Sequence, residues 1–127
     1  MEFSLQGQEV SRLCFDYAVG IETLEGSELQ IETSFMLGSV DCDMREEVQP
    51  DRLAETGFAV LRLLRQRVTA ADVDETGALR IQFTNGQVLE CPPDPMFEAW
   101  TYVSASGERK ICMPGGGVAD WPGASTA

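Results

Sequence analysis

The chain has 127 residues, 43% of them hydrophobic, and carries 21 Asp and Glu against 9 Lys and Arg, a formal net charge of −12. That length and composition fit one domain with a real core, and the charge repels nucleic-acid backbones and anionic membranes while favouring basic protein partners. Histidine is absent, which removes the usual general base, the usual metal ligand and every Ser-His or Cys-His nucleophile pair.

The first residues, MEFSLQGQEV, have neither the basic start nor the apolar run of a signal peptide. No segment reaches the ~18 to 20 apolar residues of a membrane helix. The expected location is the cytoplasm. Cys14, Cys42, Cys91 and Cys112 stand far apart with no CxxC pair. They read as buried thiols ahead of a zinc site, and no metal or cofactor is expected.

Residues 8–34 and 66–92 repeat one pattern. Val10 to Asp16 has the spacing of Val68 to Asp74, and Leu29 and Leu89 follow Glu25-Gly26 and Asn85-Gly86 at equal distance. Each copy predicts a three-stranded antiparallel meander. In the second, Leu79, Ile81 and Phe83 alternate with Arg80, Gln82 and Thr84, the period of a half-buried strand. Asn85-Gly86 suits a two-residue hairpin, and Pro92-Pro93 ends the pairing by withholding amide donors.

Between the copies runs SVDCDMREEVQPD, with Asp41, Asp43, Glu46 and Glu47. It lacks the calcium-loop positions of an EF-hand and reads as a solvated loop. The sharper reading is a patch that docks a basic surface. A helix is predicted over residues 50–65: Pro50 fits the first turn, and Leu53, Phe58, Val60, Leu61 and Leu64 make an apolar face. Gly57 weakens it by about 1 kcal/mol relative to alanine. The two meanders are expected to join in one curved sheet covered by this helix, an α+β class. One domain over residues 1–121 and a flexible tail over 122–127 complete the expected organisation.

PDPMFEAW places Asp94-Pro95 as a helix start, with Glu98 one turn on and Phe97 and Trp100 covering the sheet. Cap and aromatic clasp is the preferred reading; Asp94 and Glu98 as an acid–base pair is the lesser one. MPGGGVADW has no GK[ST] ending and no GxGxxG, so it reads as a turn and not as a phosphate loop. Tyr17, Tyr102 and Trp121 are candidate anchors for a partner.

LQGQEV, DYAVGIE, IETSF, GALRIQFTNGQVLE, PDPMFEAW and PGGGVADW together resemble a family of small uncharacterised actinobacterial proteins over roughly residues 5–121. EAW and PGGG-x-x-x-W are the most distinctive elements. The resemblance implies a bacterial, cytoplasmic, β-rich domain and, since that family has no assigned chemistry, carries over no catalytic residues. A small, acidic, α+β profile is also similar to that of immunity proteins that neutralise interbacterial toxins. The expected function is non-catalytic binding of a basic protein, with immunity-type occlusion as its most concrete form. Asp41, Asp43, Glu46 and Glu47 would steer that partner, and Tyr17, Tyr102 and Trp121 would anchor it. The alternatives are a small-molecule binder with a pocket between sheet and helix, a structural domain, and a carboxylate enzyme. An exposed sheet edge would allow a homodimer.

Overall fold

A computed structural model describes residues 3–123. Short apolar–polar alternations separated by glycine turns make strands, and these dominate. β1 (Val10–Phe15), β2 (Val19–Thr23) and β3 (Glu28–Ile31) form a meander, followed by the hairpin β4 (Phe35–Ser39) and β5 (Cys42–Val48). β6 (Val68–Val73), β7 (Leu79–Phe83) and β8 (Gln87–Cys91) form a second meander, followed by β9 (Trp100–Val103), β10 (Arg109–Cys112) and β11 (Val118–Trp121).

The strands assemble into two antiparallel sheets, β1-β2-β3-β9-β10-β11 and β5-β4-β8-β7-β6. The two meanders therefore lie in different sheets, and each exchanges its following strand with the other. β4 pairs with β8 (Leu37↔Leu89), and β9 pairs with β3 (Tyr102↔Leu29). One core draws on both sheets, with Val19, Ile21, Leu29 and Tyr102 from the first and Leu37, Leu79, Ile81 and Leu89 from the second. This corrects the expected α+β class with one curved sheet packed on one main helix: strands make up 47% and helical turns 11% of the described residues. The physical reason is that a meander with one buried face needs a cover, and here the other sheet supplies it.

The expected helix over 50–65 is broken into three pieces. Pro50–Arg52 and Phe58–Leu63 are 3-10 turns, and only α1 (Leu53–Thr56) is α-helical. The Gly57 amide donates to the Leu53 carbonyl at 2.8 Å, and the Val60 amide then donates to Gly57 at 3.1 Å. The period thus tightens from about 3.6 to about 3 residues. Val60 and Leu63, three apart, turn into the core, while Phe58, Leu61 and Leu64 face outward.

Around the junction of the meanders, hydrogen bonds come in matched pairs. Val10 N donates to Gln66 O at 2.9 Å and Val68 N to Gln8 O at 2.8 Å; Gly7 N donates to Val68 O and Arg65 N to Val10 O, both at 2.8 Å. Both meanders carry a register shift at the same place, after Val10 and after Val68. The halves differ after β5 and β10. Pro50 leads into helical turns, whereas Pro114 leads into Gly115, Gly116 and Gly117 at φ 80°, 110° and 83°, a left-handed run that side chains rarely adopt. That run folds β11 back onto β10, so the first sheet has a strand for which the second has no counterpart among the described residues.

Candidate docking surface

The four acids of the run lie on one element. Asp41 is in the β4–β5 turn, and Asp43, Glu46 and Glu47 lie along β5, all exposed. β5 is an edge strand and reaches past the core, so only Val48 at its end is buried among its described side chains. Arg45, within the run, pairs with Glu90 of β8 at 3.1 Å.

Glu46 and Glu47 share a cleft of about 400 Å³ with Glu55, Thr56 and Phe58. Beside it lies a concavity of about 300 Å³ with an apolar lining: Phe15, Leu53, Ala54, Gly57, Phe58 and Leu61. Phe58 borders both and is 69% exposed. The 3-10 turn Phe58–Leu63 buries Val60 and Leu63, three apart, and leaves Phe58 and Leu61, also three apart, on its outer side. The result is an apolar floor with a carboxylate rim. Large apolar groups left open beside charge are a feature of interaction sites.

The candidate anchors divide. Tyr17, in the β1–β2 turn, is 92% exposed, and Asp16 Oδ1 holds that turn by accepting the Ala18 amide at 2.9 Å. Trp121, half exposed, is on β11, at the edge of the other sheet from β5. Tyr102 is wholly buried, its hydroxyl bonded to Ser4 Oγ at 2.8 Å and Ser27 Oγ at 3.1 Å. It belongs to the core and leaves the set of surface anchors. Phe15, Phe58, Leu61 and Glu55 were not singled out as site residues. Their only mark in the sequence is the Gly57-Phe58 step, where the helix tightens.

Asp94 caps a turn without a helix. Its Oδ1 accepts the amides of Met96 at 2.8 Å and Phe97 at 3.1 Å, and its carbonyl accepts the Gly115 amide at 2.8 Å. Pro95, Phe97 and Glu98 are exposed, while Trp100 is buried with Nε1 donating to the Gly77 carbonyl at 2.9 Å. The clasp thus runs through Trp100 and the Asp94 backbone.

Burial pushes the Cys91 thiol up to about 12 and raises that of Cys112 as well. The hydrogen bond from Cys14 to Glu22, at 3.2 Å, raises Cys14. None of these three is an activated thiolate. Among the described residues no cluster of His, Cys, Asp and Glu could hold a metal ion, and no helix is long and apolar enough to cross a membrane.

A larger cavity of about 840 Å³ opens between Phe3, Ser4 and Gln6, Ala71 of β6, and Lys110 and Asp120 of β10 and β11. Lys110, the chain's only lysine, is 4% exposed and bonds Asp120 at 3.0 Å and Glu108 at 3.2 Å. Burial disfavours its charge, but the two carboxylates outweigh that and hold its pKa above the ordinary value. A lysine so paired is neither a free cation nor a neutral amine nucleophile.

A family profile matches residues 1–122, nearly the whole chain. The chain belongs to DUF6188, a family of unknown function. No curated protein and no solved structure matches it. With no activity assigned to the family, function has to be argued from the site itself.

Proposed function

We propose that the chain is a non-catalytic protein-binding domain. Its docking surface is the apolar floor of Phe15, Phe58 and Leu61, rimmed by Glu46, Glu47 and Glu55. The observation that carries this reading is Phe58, open to solvent where an apolar concavity meets an acidic one. Such a surface fits a partner that presents an apolar side chain flanked by lysine or arginine. The carboxylates, with Asp41 and Asp43 further along, steer the encounter, and Phe58 becomes the desolvated anchor. A net charge of −12 adds long-range attraction to a basic protein. Occlusion of a basic toxin or enzyme, as an immunity-type inhibitor does, is the most concrete form of this activity. Free Cys14, Cys91 and Cys112 fit a reducing cytoplasm.

The test places a photo-crosslinking residue at Leu61 of the full chain, expressed in its own cells, and identifies the adduct by mass spectrometry. The expected adduct is one basic protein that binds the purified chain and is lost in Phe58→Ser. A purified partner bound equally well by Phe58→Ser and by the Glu46→Lys, Glu47→Lys double variant would overturn the reading.

A further inference from the structure

Among the described residues the two sheets differ by one strand, and the repeat shows which one the second lacks. Leu29 and Leu89 hold matched places in the two meanders, and they face Tyr102 of β9 and Leu37 of β4. Tyr102 in turn faces Lys110 of β10, and Leu37 faces Glu46 of β5. Arg45–Val48 of β5 therefore stands where Arg109–Cys112 of β10 stands. The far edge of β10 is covered by β11, with Lys110 opposite Asp120. The far edge of β5 pairs with no strand among the described residues, because the chain turns away at Pro50.

We propose that the partner supplies the missing strand. An extended segment adds antiparallel along Arg45–Glu47, as β11 adds to β10, and sets a lysine or arginine opposite Glu46. That contact is the Lys110–Asp120 pair with its charges reversed. An apolar residue two positions along, on the same face of the added strand, reaches Phe58, which borders the cleft that Glu46 and Glu47 line. A second copy of this chain fits less well: it brings a second net charge of −12 to the edge, and self-pairing centred on Glu46 sets two glutamates opposite each other. The inference rests on the docking reading and adds to it the backbone register and the occupant's chemistry.

The experiment titrates the isotope-labelled full chain, at low ionic strength, with a blocked peptide of repeating Lys-Thr-Val-Thr, which sets lysine and valine two positions apart on one strand face. A second peptide, N-methylated at every residue, has the same side chains but lacks the amide donors for pairing along either edge. The expected result is slowed amide exchange between Arg45 and Glu47 with the first peptide and at least tenfold weaker binding of the second. Glu46→Lys should weaken the lysine peptide at least tenfold and make a glutamate–valine peptide the better ligand. If the methylated peptide binds equally and protection is confined to residues 53–61, strand addition is overturned and the docking reading stands. If neither element is protected, both are overturned.

Discussion

Arg65 holds the backbone position in the second repeat that Gly7 holds in the first. Both have positive φ, 68° and 88°, and their amides donate to Val10 and Val68 at the same 2.8 Å. Arg65 is the sole non-glycine residue with positive φ among those described. The left-handed conformation costs a side chain about 1–3 kcal/mol, more than glycine's extra freedom in the unfolded chain. Arg65→Gly should therefore stabilise the fold by about 0.5–1 kcal/mol, read as a higher urea midpoint with unchanged slope. Gly7→Ala should lose about 1 kcal/mol. Nothing lies within 4 Å of the added methyl, so that loss reports backbone conformation alone.

Cys91 predicts how stability falls at alkaline pH. Its thiol is raised by burial from 9.0 to about 12 in the folded chain, so the neutral form is favoured there and the unfolded chain ionises first. The stabilisation is complete below about pH 9 and is lost progressively as pH rises towards about 12. Cys91→Val puts a branched apolar side chain where the first meander has Ile31, and should flatten the decline in melting temperature above that point. An unchanged slope would place the alkaline transition elsewhere.

The Lys110 cluster should behave as a structural ion triad. Lys110→Met leaves Glu108 and Asp120 without their cation and should cost about 2 kcal/mol. That is below the ~3–5 kcal/mol of a wholly buried pair, because the Asp120 side chain is 41% exposed. Adding Asp120→Asn should recover part of the loss, a non-additivity that a double-mutant cycle in urea would measure.

Steering and anchoring separate in kinetics. With a cognate partner in hand, Glu46→Lys with Glu47→Lys should slow association at least tenfold at low salt and flatten its salt dependence. Phe58→Ser should leave the association rate near its starting value and speed dissociation, because it removes the desolvated anchor and not the field. Surface plasmon resonance at two salt concentrations distinguishes the two effects.

How far the sequence could be read depended on the range of the interaction involved. The alternation from Leu79 to Phe83 matches β7, and Gly26 and Gly86 both take positive φ in their turns. Those features are local. Alternation says which face of a strand is buried and nothing about what buries it, so the partition of the meanders between two sheets was hidden. Val60, Leu61 and Leu64 fit a 3.6-residue period well enough, and only the Gly57 hydrogen bonds reveal a tighter one. The acids of β5 were visible as charge. Phe15, which shares the apolar concavity with Phe58, lies far from it in the chain and joins it only through the fold.

Exchanged strands also govern the timetable of synthesis. As the chain leaves the ribosome, β4 and β5 emerge before β8, the strand on which their sheet is built, and β3, which ends at Ile31, waits for β9, which begins at Trp100. Neither sheet can close on the nascent N-terminal half, which must hold apolar strands with open edges throughout elongation. That interval is the stage at which the chain is most exposed to pairing with the wrong edge.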